Sequence, residues 1–164
     1  MTLQPINRER LDKLATYLES LPEDYQHFEM SGYLFALDEE ANEAEAHYAQ
    51  HNGGVPSCGT AACAVGHGPA AGILMPECLI TESPHVSGKF YVDWDDYSLL
   101  FTGEDCSNTP LWEWLFGGSW SYIDNHHRGA AARIRYVLAG REIPFGPYDL
   151  PAERHLELYK EFRK

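Results

Sequence analysis

The chain is poor in positive charge and in thiols, and it has no long apolar run. Of its 164 residues, 12 are Lys or Arg and 25 are Asp or Glu, a formal net charge of −13. Such an acid excess repels phosphate backbones and anionic membranes, so nucleic acid is not expected as a partner unless the acidic surface mimics one. Cys58, Cys63, Cys78 and Cys106 are too few in a chain of this length for a disulfide-dense scaffold. No stretch approaches the ~20 apolar residues that span a bilayer, and no membrane association is expected. The first residues, Met1 to Arg8, lack the basic and apolar regions of a secretory signal. A cytoplasmic location with reduced thiols is the resulting expectation. Neither Cys-x-x-Cys nor His-Glu-x-x-His occurs, and no cofactor is expected. Repeats and low-complexity tracts are absent as well.

What is there is enough apolar material for a proper core. The chain is 44% hydrophobic, and a domain of about 150 residues buries roughly 68–70% of its unfolded surface. With no linker in view, residues 1–164 read as a single compact domain. The fold class expected is mainly α, with α+β left open through a small antiparallel sheet or hairpin. Asn7 reads as the N-cap of a first helix whose stripe is Leu11, Leu14, Leu18 and Leu21, stopped by Pro22. Residues 28–37 suit a short strand or a buried turn, and the Glu- and Ala-rich residues 38–50 read as an exposed helix. After Asn52-Gly-Gly-Val-Pro56, Ser57 or Thr60 would cap a short helix through Cys63 to about His67, closed by Gly66, Gly68 and Pro69.

Residues 90–122 hold 10 of the 21 aromatics. Trp94, Tyr97 and Phe101 fall on one helix face, and Trp112, Trp114, Phe116 and Trp120 follow Pro110. These rings read as core, because they bury large areas. A long helix is predicted over 121–139 with Gly140 just past its end, and a last amphipathic helix from about 152.

Chemistry, if present, centres on Cys58-Gly-Thr-Ala-Ala-Cys63-Ala-Val-Gly-His67-Gly-Pro69. Cys58 stands at a predicted helix start, where the dipole and free N–H groups favour a thiolate. His67, His126 or His127 would serve as its base, with Asp124 to orient one of them. Backbone N–H groups of Gly59 and Thr60 would supply oxyanion donors. The plainer alternative is a half-buried structural cysteine. Cys63 and His67, four residues apart, offer a second reading as a metal-ligand pair, as do His47 and His51, but neither pair sits in a zinc motif.

A third feature is a basic island on an acidic chain. Arg128, Arg133, Arg135 and Arg141 fall within 14 residues, preceded by His126 and His127. Arg128 and Arg135, two helical turns apart, could face one anion, since guanidinium groups suit carboxylate and phosphate. The alternative is that these arginines pair with carboxylates of the same chain.

The string from Cys58 to Ile73, with Leu111-Trp-Glu-Trp-Leu-Phe116, Asp124-Asn and Ala131-Ala-Arg-Ile-Arg-Tyr136, resembles a group of small phage and bacterial proteins. Their shared pattern is Cys-Gly-Thr-x-x-Cys-x-x-Gly-His followed by aromatic-rich segments. The resemblance spans about residues 50–144 and implies positions rather than an activity: Cys58, Gly59, Thr60, Cys63, Gly66, His67, Asp124 and Arg133. It also suggests a host-directed or defence-directed binding role.

Three functions therefore stand beside one another. The first is a cytosolic binding or regulatory domain with a pocket near Cys58–His67 for a small anionic ligand or a host protein, lined by Gly59, Thr60, Arg128, Arg133 and Arg135. The second is a cysteine-dependent hydrolase or transferase using Cys58, His67 or His126, and Asp124. The third is a metal-binding protein using Cys63 and His67.

Overall fold

The first helix, α1, spans Pro5–Ser20, and the residue that starts it is not the one the sequence suggests. In a computed structural model, which describes residues 3–30, 34–36, 60–82, 90–104, 109–118 and 120–143, Gln4 is the N-cap and Pro5 occupies the first helical turn. Proline is preorganised for that place and lacks an N–H that would go unbonded anyway. Asn7, expected as the cap, lies inside the helix and is buried, with its Nδ2 donating to the Leu100 carbonyl at 2.8 Å. A tertiary hydrogen bond has taken the side chain that a local cap would have used. The predicted apolar stripe is real: Leu11, Leu14, Ala15 and Leu18 are completely buried. Each leucine contributes about 1.5–3 kcal/mol by leaving water.

Two short antiparallel ladders follow. Strand β1, Leu34–Ala36, pairs with β2, Thr60–Ala62, in the register Leu34–Ala62 and Ala36–Thr60. Strand β3, Ile80–Glu82, pairs with β4, Phe90–Val92, in the register Ile80–Val92 and Glu82–Phe90. The helix expected through Cys63 to His67 is thus corrected: residues 60–62 are strand, and only Val65–His67 turn as a 3-10 helix. Pairing with a partner distant in sequence has overridden the local cap and glycine signals. The turn continues through hydrogen bonds from Gly68 N to Val65 O (2.8 Å) and Ala71 N to His67 O (3.0 Å). Gly68 is pressed against the aromatic layer. A Cβ there would stand 2.3 Å from the Tyr97 hydroxyl and 3.0 Å from Phe101, so only glycine allows the approach.

The remaining described elements are helical, and the protein is mainly α. Helix α2, Trp94–Thr102, is capped by Asp93, whose carboxylate accepts from Asp96 N at 3.0 Å. Trp94, Tyr97 and Phe101 share its buried face as expected. Helix α3, Pro110–Phe116, starts on the Thr109 hydroxyl. The long helix predicted over 121–139 is two helices, α4 (Trp120–Ile123) and α5 (His127–Leu138). The break falls at Asp124-Asn125-His126, because those side chains bond outside a continuous helix. Asn125 Oδ1 accepts from Met30 N at 2.7 Å, and His126 Nδ1 caps α5 by accepting from Arg128 N at 3.1 Å. Past α5, Gly140 adopts φ +72°, the left-handed stop expected of it.

The core joins the leucine face of α1 to the inner face of α5 and to the rings of α2, α3 and α4. Edge-to-face pairs dominate, with Tyr97–Phe101 and Trp114–Trp120 centroids each 5.5 Å apart. This geometry sets each ring's positive edge against its neighbour's negative face. Trp94, Tyr97, Phe101, Trp112, Trp114, Phe116 and Trp120 are core, as expected, whereas Tyr122 of the same stretch is 93% exposed. No helix among the described residues is long and apolar enough to cross a membrane. Residues 38–50, the segment around His47 and His51, and the helix expected from 152 lie outside the described residues.

Candidate functional site

Cys58 and Gly59 lie outside the described residues, and Thr60 is described as backbone of β2. What can be built is the environment of their expected partner. His67 is fully buried, and the 3-10 turn aims its ring at the loop that follows α1. Its Nδ1 lies 2.8 Å from the Cys63 carbonyl and its Nε2 lies 3.1 Å from the Tyr25 hydroxyl. One assignment satisfies both contacts: Nδ1–H donates to the carbonyl and Nε2 accepts from the phenol. A neutral ring is therefore fully bonded. Burial pushes the imidazole pKa down to about 4, and the same cause raises the Tyr25 phenol well above its ordinary value. A base so weak beside a phenol so weakly acidic moves no proton near neutral pH. The dyad ties the turn to the α1 loop, with Phe28 and Tyr17 packed on the His67 ring at centroid distances of 5.5 and 6.1 Å.

Cys63 meets His67 through its backbone carbonyl, and no group of three or more His, Cys, Asp or Glu that could hold a metal ion lies among the described residues. Burial pushes the Cys63 thiol up to about 11. In the fold as it stands the thiol is held protonated.

The other proposed dyad is also taken apart. Asp124 does not orient His126; its Oδ2 lies 3.3 Å from Nη1 of Arg133. His126 has its Nδ1 lone pair engaged by the α5 cap, and its Nε2 faces the Glu23 carbonyl at 3.4 Å. The histidine that reaches the His67 neighbourhood is the next one. His127 is fully buried, and Tyr25 and Phe28 contact both its ring and that of His67. The start of α5 and the end of the motif segment therefore do meet, through aromatic packing rather than across an open cleft.

Three of the four arginines of the basic island resolve into internal pairs. Arg133 is buried against Asp124, with its guanidinium 4.1 Å over the Trp120 ring. Arg135 reaches across to α1, where it pairs with Asp12 and with Glu19 (2.8 Å) and bonds Thr16 Oγ1 (2.9 Å). Hydrogen bonding to Glu19 is the chief reason its pKa is raised. Arg128 pairs with Glu23 at 2.8 Å. Arg128 and Arg135 thus answer different carboxylates, which corrects the expectation that they face one anion. Among the described residues, Arg128, Arg133 and Arg135 spend their charge on holding α5 to the loop after α1, to the α4–α5 corner and to α1 respectively.

A concave surface exists elsewhere. A cleft of about 760 Å³ opens where the N-terminal part of α1, the start of α3 and the end of α5 converge. Leu3, Leu111, Val137 and Ile143 give it an apolar lining, and Arg8, Arg141, Glu104 and Glu142 bring charge. Arg8 donates to the Leu138 carbonyl at 2.6 Å, and Arg141 lies 5.4 Å over the Tyr136 ring. Neither is ion-paired with a carboxylate among the described residues, unlike the three arginines of α5.

No family model, no curated protein and no solved structure matches the chain. Arg8 and Tyr25 escaped sequence reasoning altogether. Each is a single residue whose partners lie on another element, and no local pattern marks it. Arg141 carried a signal, as the last member of the basic island.

Proposed function

We propose that the protein is a small-molecule-binding domain whose ligand joins an apolar body to a carboxylate or similar anion, seated in the cleft between α1, α3 and α5. The observation that carries this reading is the contrast among the arginines. Those inside α5 are matched to carboxylates of the chain, whereas Arg8 and Arg141 line an apolar recess without such a match among the described residues. Small-ligand sites are concave and mostly apolar, with a few polar groups that fix orientation. A guanidinium at the edge of such a recess suits a planar anion.

The location differs from the one expected beside Cys58–His67. Both ring nitrogens of His67 are engaged and the ring is closed to solvent, so it is a poor wall for a ligand and a poor base for Cys58. The likeness to small phage and bacterial proteins makes a host protein the alternative occupant.

The test is a thermal-shift series with straight-chain and aromatic carboxylates, followed by amide chemical-shift mapping. A ligand at 100 times its Kd stabilises the fold by about 2.7 kcal/mol. Longer apolar bodies should bind more tightly, and shifts should centre on Val137, Gly140, Arg141 and Ile143. Arg141→Glu should abolish them. No stabilisation by any carboxylate, or binding that survives Arg8→Glu combined with Arg141→Glu, overturns the proposal.

A further inference from the structure

The two buried histidines make opposite demands on their protons. His67 meets one acceptor and one hydroxyl, which a neutral ring satisfies. His127 meets two backbone carbonyls: Nδ1 lies 2.7 Å from Leu18 O and Nε2 lies 2.9 Å from Pro22 O. A carbonyl oxygen only accepts. A neutral imidazole has one N–H, so it would set a lone pair against one of these oxygens at hydrogen-bond distance. The imidazolium has two N–H groups and satisfies both. We infer that His127 is held as an imidazolium and works as a proton-dependent latch, clasping the C-terminal end of α1 to the N-terminal end of α5.

The acceptors explain why a cation belongs there. Leu18 lies in the last turn of α1, whose carbonyls form the negative end of the helix dipole, and α1 carries no basic side chain of its own in that turn. His127 supplies the missing charge from another helix. Pro22 O belongs to the loop that leads to Tyr25, so the same ring also fixes where Tyr25 and Phe28 stand against His67.

The groups around the ring act in both directions. On its own element, Arg128 opposes the charge, although its guanidinium is turned to Glu23, and His126 stacks at a centroid distance of 4.3 Å with its Nδ1 lone pair engaged by the cap. Asp124 lies against the first turn of α5 and pairs with Arg133. From α1, Glu19 is matched to Arg135. The loop presents Tyr25 edge-on, and the 3-10 turn presents His67. Burial is the largest single influence and, with His126 and Arg128, draws the pKa of His127 down, while the Leu18 and Pro22 carbonyls draw it up. Charge-assisted bonds at both ring nitrogens decide the balance, because losing the proton both breaks one bond and leaves a repulsive contact.

The sign of the pH dependence follows. A histidine held charged in the fold contributes stability below its unfolded value, near 6.5, and loses it as pH rises through its folded value. His67, held neutral, has the opposite sign and weakens the fold as pH falls below about 6.5. The two effects occupy separate windows.

The test is long-range proton–nitrogen NMR of the histidine rings in the whole protein, with His127 assigned through its contacts to Leu18. At pH 7 both His127 nitrogens should carry protons, with half-titration above about 6.5, while His67 shows one protonated and one bare nitrogen. Amides of Leu18 to Tyr25 should exchange at least tenfold faster at pH 8.5 than at pH 6, after correction for intrinsic exchange. His127→Gln, which keeps one donor, should remove that pH dependence if it folds. A bare nitrogen on His127 at pH 7, or unchanged protection across that range, overturns the latch. The ring spectra of the unsubstituted protein decide the matter even if the variant does not fold.

Discussion

Replacing Asp124 by Asn keeps the size and shape of the side chain and removes one charge from the most deeply buried ion pair described. Arg133 is completely buried, and the Asp124 side chain is 6% exposed. Removing one partner of such a pair strands the other charge away from water, a loss of about 3–5 kcal/mol. For a chain of this size each kcal/mol lowers Tm by roughly 2–4 °C, so the variant should melt roughly 6–20 °C below the parent. The stack of Arg133 on Trp120 offers a spectroscopic handle, since indole fluorescence reports whether the guanidinium stays in place. Urea denaturation followed by that signal gives the free energy directly. The same scheme predicts partial rescue: adding Arg133→Met to Asp124→Asn removes the stranded cation and should recover stability relative to Asp124→Asn alone. A loss below about 1 kcal/mol, the scale of an exposed pair, would refute the reasoning. So would a double variant whose loss equals the sum of the singles.

Three further outcomes follow from the same packing. Gly129→Ala should destabilise through Asp124, because the new Cβ would lie 1.4 Å from Asp124 Oδ2; its effect should shrink in the Asp124→Ala background, measured by the same urea titration. Glu113 is buried, its Oε2 has no hydrogen-bond partner among the described residues, and burial raises its pKa. A carboxyl raised in this way stabilises the fold at low pH and loses that contribution as pH rises through its folded value. Glu113→Gln should therefore raise Tm at pH 7–8 and leave it nearly unchanged near pH 4. Finally, iodoacetamide should modify exposed Cys78 in the native protein and spare Cys63, which is 2% exposed with a thiol pushed up to about 11. Peptide mass mapping reads the ratio, and rapid native alkylation of Cys63 would contradict its burial.

Elements whose signals are periodic and local were legible without coordinates. The leucine stripe of α1, the shared face of Trp94, Tyr97 and Phe101 and the Gly140 stop each rest on residues within one or two turns. Where the reading went astray, a distant partner had intervened. Thr60–Ala62 became strand because Leu34–Ala36 lies beside it. The helix over 121–139 broke because Asn125 reaches Met30 and His126 turns back as a cap.

The candidate site divides along the same line. Composition and spacing singled out His67, the histidine pair and the arginine cluster, and these do carry the structural polar chemistry of the described residues. Their roles, however, are relations between elements. His67 is closed by Tyr25, Arg135 is spent on Asp12 and Glu19, and His127 is set between two carbonyls. The motif that drew attention, Cys58 to Pro69, read as a short helix ending near His67, and only Val65–His67 turn helically among its described residues. Whether a histidine in that turn is a base, a ligand or a tie depends on which atoms lie within about 3 Å of its two nitrogens. Tertiary structure decides that, because the atom at His67 Nε2 comes from 42 positions away, although Cys63 O at Nδ1 is local, and both partners of His127 lie more than 100 positions away.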